Sequence, residues 1–321
     1  MKAIVVRTFG GPEALELEEA ELPSPAAGEA LVAVSAAGVN FMDTGTRRGL
    51  TPGKSAPVVP GVEGAGTVLA VGPGVVDIRP GDRVAWYFAW GSYAEQLIAP
   101  ADQLVPLPDD LSFEDGAGIM MQGLTASNLV FESHAVKPGD VALVHAASGG
   151  VGLLLTQMIK LLGGEVIARV SSEAKVALAR EAGAAHVLVG RGDEIGDRVL
   201  AITGGRGVDV VYDGTGAESF RTSLDLVDYH GTLALFGPLM EPLPPIDPFS
   251  IPKSIKITYP VVMHHVRTRA ALLARSRQLF DWLRSGELRL HIGQSYPLAA
   301  AADAHRDIES RRSTGKLLLT P

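Results

Sequence analysis

The run His145-Ala146-Ala147-Ser148-Gly149-Gly150-Val151-Gly152 has the residue types and spacing of a phosphate cradle. It follows the apolar stretch Val141-Ala142-Leu143-Val144 and opens the apolar segment from Leu153 to Leu162. Gly149, Gly150 and Gly152 lack the Cβ atoms that would hold a pyrophosphate away from the main chain, so the bare N–H groups of a helix start can face the anion. The spacing Ala146-x-x-Gly149-x-x-Gly152 is a relative of the G-x-G-x-x-G dinucleotide fingerprint with alanine in first position. Alone the match is weak, since a glycine-rich turn that only packs a helix on a sheet has the same letters. Its setting strengthens it: Leu153, Leu154, Gln157, Met158, Leu161 and Leu162 recur near a 3.6-residue period, and Gly163-Gly164 can end the helix. Ser148 is no hydrolase nucleophile, because its neighbours do not form a G-x-S-x-G elbow.

Such a cradle needs a parallel sheet behind it. Strands are expected at Val141–His145, Glu165–Val170, His186–Leu188, Val208–Tyr212, Leu233–Phe236 and Lys256–Thr258, alternating with helical segments, as in a doubly wound α/β domain. The first 110 or so residues differ in texture. Short runs such as Ala30–Val34, Gly66–Val71 and Arg83–Tyr87, separated by Pro and Gly, read as an irregular β domain. The last 60 residues carry an amphipathic helix from about Thr268 to Ser285, a strand near Ser295, a helix around Ala299–Glu309 and a closing strand at Lys316–Leu319. This tail is expected to return to the first domain, giving a division into 1–120 with 262–321 and 121–261. The cluster Pro242-Leu243-Pro244-Pro245 reads as a loop.

The end of the second parallel strand discriminates between dinucleotides, since a carboxylate there holds the ribose 2′-hydroxyl of NAD, whereas a 2′-phosphate calls for cations and hydroxyls. Val170-Ser171-Ser172 offers no carboxylate, and Ser171, Ser172 and Lys175 can cap the next helix and face a phosphate, which favours NADPH. The plainer alternative has Ser172 as a helix cap and Lys175 in solvent, and the charge of Glu173 would oppose a phosphate if it turned inward.

Composition narrows the classes further. The 321 residues hold 36 acidic and 28 basic side chains, a net charge of −8, which argues against a nucleic-acid surface and suits a cytoplasmic protein. Arg267, Arg269, Arg275 and Arg277 read as a solvated helix face. With no cysteine, disulfides, thiolate chemistry and cysteine-ligated zinc are excluded, and the eight histidines show no replacement spacing. His264-His265 are adjacent and read as surface or interface; His145 reads as a satisfied structural histidine. No signal peptide and no membrane span are expected.

Motifs along nearly the whole chain resemble the zinc-independent quinone oxidoreductases of the medium-chain dehydrogenase/reductase superfamily, the group that includes zeta-crystallin. The resemblance rests on Ala37-Gly38-Val39-Asn40-Phe41-Met42-Asp43, Pro60-Gly61-Val62-Glu63-Gly64-Ala65-Gly66, Gly81-Asp82-Arg83-Val84, Gly91-Ser92-Tyr93-Ala94-Glu95, Gln122-Gly123-Leu124-Thr125-Ala126 and the glycine loop. It implies a GroES-like irregular β catalytic domain and a Rossmann domain. Asn40 stands near the position of a catalytic zinc ligand of the metal-dependent relatives and Val62 replaces a histidine, so no metal is expected. The resemblance places Asn40, Phe41, Met42 and Asp43 at the nicotinamide, with Thr125 and Asn128 on the neighbouring helix. Gly149, Gly150, Val151 and Gly152 would take the pyrophosphate, and Ser171, Ser172 and Lys175 the adenosine 2′-phosphate. Thr215 and Phe236-Gly237 would face the ribose and nicotinamide side, and Arg311 matches a C-terminal cofactor contact. Gly45 and Thr51 stand where the family commonly has tyrosines, and Gly190 replaces a third, with Arg191 beside it either as a substitute or facing solvent.

The expected chemistry is hydride transfer from NADPH to a quinone or α,β-unsaturated carbonyl, in a cleft between the domains. Asn40 and Thr125 are the expected oxyanion donors, and Asp43 is either a proton relay or a structural partner of a nearby N–H. Two alternatives remain: an enoyl-thioester reductase of the same fold, and a non-catalytic NADPH-binding protein, for which the acidic balance argues against an RNA role. The resemblance implies a homodimer built by the nucleotide domains.

Overall fold

Along the strand Glu29–Val39, side chains alternate between buried and half-buried until Ala36, after which all are buried. That alternation belongs to a strand with one covered face. In the computed structural model, which describes residues 1–237 and 243–321, this strand is central to a seven-stranded sheet. Neighbours run in the order Ile292–Pro297, Lys316–Thr320, Glu29–Val39, Glu63–Val71, Arg83–Tyr87 and Leu104–Pro106, with Gln96–Pro100 also paired to Glu29–Val39. Register sets Leu317 opposite Val39 and Leu318 opposite Gly38 on one side, and Gly64 opposite Ala37 on the other. Asn40, Glu63 and Lys316 therefore meet at one end of three adjacent strands. Beneath them Val32, Val84, Trp86, Leu104, Leu317 and Leu319 pack into one apolar core. This unit comprises Met1–Gln122, Val266–Gly286 and Leu290–Pro321.

The second unit, Gly123–His265 with Glu287–Arg289, is built on a six-stranded parallel sheet. Its strands lie in the order His186–Val189, Glu165–Val170, Val141–Val144, Val208–Asp213, Val227–Leu235 and Lys256–Thr258, the doubly wound order with a switch point between the third and fourth. The fifth strand starts at Val227, earlier than the apolar run from Leu233 suggests. Asp228, Tyr229 and His230 interrupt the pattern, and His230 has φ 61, so this part of the strand has no apolar signature.

Helix ends follow local chemistry. Thr268 Oγ1 accepts from the Ala271 N–H at 3.1 Å to start the helix Arg269–Ser285, and Gly286 with φ 76 stops it. The helix Phe113–Asn128 runs on into a π-helical turn, Leu129–Ser133. Of the proline cluster, Pro242 lies outside the described residues, and Leu243 to Pro245 carry no regular structure.

Candidate active site

The chain leaves strand Val141–Val144 at His145, turns through Ala146 with φ 49, and enters the helix Gly150–Leu161 with Gly149 as its first cap. The Gly149 N–H donates to Ala146 O at 2.9 Å and closes the turn. A Cβ on Gly152 would stand 2.5 Å from Ala146 O and 2.7 Å from Ala147 Cα, so only glycine lets the helix start this close to the strand. The Leu153 N–H is bonded to Gly149 O, whereas the N–H groups of Gly150, Val151 and Gly152 precede that bond at the positive end of the helix. The cradle fits a pyrophosphate.

At the end of the second strand Lys175 is only 9% exposed and Arg169 6%. Burial, and then the nearby guanidinium, lower the pKa of Lys175. Two buried cations in one place favour an anion. The Arg169 Nε donates to Gly190 O at 2.8 Å and its terminal nitrogen to Glu218 at 3.2 Å. Ser171 is exposed and Ser172 half-buried. Ser172 does hold the cap position of the short turn Glu173–Lys175, but its hydroxyl makes no capping bond, which corrects the capping role expected of it. Gly190 has φ 146, a conformation that disfavours any side chain, tyrosine included. Arg191 pairs with Asp193 at 3.0 Å and Glu194 at 3.8 Å, its side chain 62% exposed.

The fourth strand ends at Asp213, a fully buried carboxylate that accepts from the Thr215 N–H and hydroxyl at 2.8 and 2.6 Å and from Ser219 and Ser223 at 2.6 and 2.7 Å. Burial opposes its charge, yet His145 and these hydroxyls hold it below the usual carboxylate range. The turn that carries Thr215 is thereby fixed. His145 Nε2 lies 3.0 Å from Ser223 Oγ, but its buried Nδ1 has no partner among the described residues, so this histidine is half satisfied rather than fully so. Phe236 is buried, and Gly237, with φ 77, accepts at its carbonyl from the Tyr259 hydroxyl at 2.7 Å.

In the first unit Asn40 leads into the short helix Phe41–Arg47. Its side chain is spent within the unit: Nδ2 donates to Glu63 at 2.8 Å and toward Gly38 O at 3.4 Å, and Oδ1 accepts from Lys316 Nζ at 3.0 Å. Lys316 and Glu63, both fully buried, form an ion pair at 2.5 Å, and the Met121 N–H donates to the other Glu63 oxygen at 2.6 Å. A Cβ on Gly38 would lie 2.6 Å from Ala117 O, so this cluster also requires a glycine. Phe41 and Met42 are half-buried. Asp43 is fully buried and accepts from the Asn40 N–H at 2.8 Å and the Tyr93 hydroxyl at 3.0 Å, and burial pushes its carboxyl up to about 7. Gly45 is buried, and a Cβ there would meet Leu50 Cβ at 4.0 Å without a clash; Thr51 is bonded to Thr46 at 2.9 Å.

The structure gathers the candidates into two groups. Asn40, Phe41, Met42, Asp43 and Arg311 belong to the first unit, Arg311 exposed at φ 58; Thr125, Asn128, the glycine loop, Ser171 to Lys175, Arg191, Thr215, Phe236 and Gly237 belong to the second. Thr125 is half-buried and Asn128 buried. Sequence reasoning missed Arg169, Glu63 and Lys316 as site groups. Glu63 was visible as a motif letter, but nothing in the chain marks a lysine 253 residues away as its partner. His264 is exposed as expected, whereas the His265 side chain is 1% exposed, 3.2 Å from Ser127 and 3.6 Å from Glu132, which corrects its surface reading. Among the described residues no group of three or more His, Asp or Glu is placed to hold a metal ion, and no helix is long and apolar enough to cross a membrane.

A family model described as alcohol dehydrogenase GroES-like domain matches residues 26–109, and one described as zinc-binding dehydrogenase matches residues 150–277. The chain is 38% identical over 323 residues to a quinone oxidoreductase of Pseudomonas aeruginosa, covering 100% of this chain and 99% of that one. It is 36% identical over 329 residues to a 2-haloacrylate reductase of Burkholderia sp, covering 99% and 98%. The crystal structure of Escherichia coli quinone oxidoreductase complexed with NADPH matches at a TM-score of 0.96 and 36% identity, over 100% of both chains.

Proposed function

The chain belongs to the quinone oxidoreductase family of the medium-chain dehydrogenase/reductase superfamily, and from that membership we propose that it reduces a quinone or an α,β-unsaturated carbonyl with NADPH and without a metal ion. It is an NADPH-dependent oxidoreductase. The observation that carries this is the glycine cradle at the switch point of a parallel sheet, with the buried Lys175 and Arg169 at the end of the neighbouring strand. Bound NADPH supplies a hydride with two electrons, and one proton must come from elsewhere. The helix start at Gly150 to Gly152 holds the pyrophosphate, and Lys175 and Arg169 take the 2′-phosphate with Ser171 and Ser172 at the rim. Thr215, Phe236, Gly237 and Asn128 position the ribose and nicotinamide, and Arg311 is the C-terminal contact. Phe41 and Met42 exclude water. Thr125 donates to the oxygen on which negative charge develops. Because the amide of Asn40 is committed to Glu63, Gly38 and Lys316, its part is to hold the turn rather than to bind an oxyanion. Asp43, fully buried and bonded to the Asn40 N–H, holds the same turn, and solvent supplies the proton. NADPH absorbance loss with a panel of quinones, enones and enoyl thioesters tests this; turnover with quinones and enones is expected, and no loss with any of them points to a cofactor-binding protein without catalysis.

The relative named as a 2-haloacrylate reductase supports an activated alkene within the acceptor range. The missing side chain at Gly45 favours a second reading, an enoyl-thioester reductase. Gly45→Tyr should therefore narrow the range, lowering rates for bulky acceptors at least ~10-fold relative to small ones, since misplacement of a reacting group by about 1 Å costs about 100-fold. Equal relative rates before and after the substitution would remove the missing side chain as the cause.

The proposal includes a cytoplasmic homodimer formed through the second unit. Among the described residues the strand Lys256–Thr258 pairs on one side only, and Phe249, Tyr259 and Met263 stand exposed near it in sequence. An unpaired edge with apolar neighbours suits a partner strand. Sedimentation equilibrium at the monomer mass would exclude it.

A further inference from the structure

We propose that Glu218 is the specificity-determining carboxylate of the adenosine site: it pairs with Arg169, and by competing with a 2′-phosphate for that guanidinium it sets how far NADPH is preferred over NADH. The inference rests on the NADPH reading above and deepens it.

The strand Glu165–Val170 brings Arg169 to the site with its side chain 7% exposed. Its Nε donates to Gly190 O at 2.8 Å, which fixes the plane of the guanidinium. A terminal nitrogen of the same group donates to Glu218 Oε1 at 3.2 Å. Glu218 arrives from another part of the chain, the turn after the strand Val208–Asp213, where Asp213 accepts from the Thr215 and Ser219 hydroxyls at 2.6 Å each. The backbone aims the carboxylate as well, since the Gly192 N–H donates to the same Glu218 oxygen at 3.2 Å. A Cβ on Gly192 would stand 2.6 Å from Ser219 Cβ, so this approach needs a glycine. The pair reaches the surface: the Glu218 side chain is 22% exposed, and Ser171, just past the strand that carries Arg169, is exposed.

Charge then decides what the site prefers. Lys175 is buried close enough to Arg169 for its ammonium to feel the guanidinium. Two buried cations call for a counter-charge, and Glu218 supplies one from within the chain. The three side chains sum to a single positive charge. A 2′-phosphate carries nearly two negative charges at neutral pH, so beside Glu218 it is undercompensated and shares Arg169 with a like charge. NADH brings no phosphate and leaves the Arg169–Glu218 pair as it is. The carboxylate thus lowers the free energy of the empty and NADH-bound protein relative to the NADPH-bound one. Arg191 at the rim is engaged by Asp193 and Glu194 and adds no net positive charge there.

Calorimetric titration of the full chain with NADPH and NADH, and with adenosine 2′,5′-bisphosphate beside 5′-AMP, tests the proposal without any turnover. Glu218→Gln keeps an oxygen that accepts from Arg169 and the Gly192 N–H and removes only the charge. It should tighten NADPH and the bisphosphate about 10-fold and leave NADH and 5′-AMP within about 2-fold. Arg169→Met should weaken NADPH selectively and bring the two dinucleotides toward equal affinity. Weaker NADPH binding in Glu218→Gln means that the carboxylate orients the guanidinium, and overturns the proposal. An equal change for both dinucleotides overturns it too, because Glu218 then acts through the fold. So does an unchanged NADPH preference in Arg169→Met, since the guanidinium is then not at the phosphate. Native protein that binds neither dinucleotide overturns the cofactor reading and the proposal together. Selective binding with no NADPH oxidation by any acceptor overturns the hydride-transfer reading and leaves the role of Glu218 standing.

Discussion

Lys316→Met is expected to lower the unfolding free energy by about 3–5 kcal/mol, read from urea denaturation at neutral pH, because it strands the Glu63 carboxylate in the interior without its cation. Glu63 and Lys316 are both fully buried and 2.5 Å apart; Asn40 bonds to both, and the Met121 N–H donates to the second Glu63 oxygen. Removing Lys316 leaves the Glu63 carboxylate with neutral donors only and no compensating cation. The paired change Glu63→Leu with Lys316→Met should recover most of the loss, since two apolar groups of similar volume need no charge compensation. A single-variant loss below about 1 kcal/mol would mean that water enters the cluster and that the pair is not sealed.

Lys175→Ala is expected to weaken NADPH binding by roughly 1.5–3 kcal/mol, about 10- to 150-fold, by calorimetric titration, while NADH binding barely changes. Lys175 is already desolvated and already beside Arg169, so little ordering or dehydration is left to be done when a phosphate arrives. In the free protein those two cations disfavour each other; a dianion between them turns repulsion into attraction. Arg169 is tethered to Gly190 O and Glu218 and stays in place when Lys175 is shortened, which keeps the loss partial. Equal weakening for both cofactors would refute a contact with the 2′-phosphate.

The parallel sheet was legible because its strands are short apolar runs bounded by glycine turns, and because Gly149 and Gly152 answer to a local requirement: Gly152 has Ala146 O and Ala147 Cα where a side chain would go. Capping at Thr268 and Gly286 is local in the same way. Where the fifth strand departs from an apolar pattern, at Asp228 to His230, the sequence is silent about it. The site was less legible than the fold. Asn40 looked like a donor because its type and place allowed it, yet its hydrogens are consumed by groups that only strand register brings near.

The sequence by itself determined a dinucleotide cradle, a phosphate-tolerant strand end at Ser171 to Lys175, the absence of cysteine ligands, and membership in a family of reductases. The cradle and the strand end depend on residues within a few positions of one another, and the other two on composition and on the order of short motifs, so the sequence expresses them without a fold. Tertiary structure alone decided which polar groups remain available for chemistry. Lys316 meets Glu63 and Asn40, and Arg47 meets His305 and Glu309, across separations of 253 to 276 and 258 to 262 residues. Such partners are chosen by register and burial: the pairing of Leu317 with Val39 sets which lysine enters the cluster, and exclusion of water makes each remaining hydrogen bond obligatory.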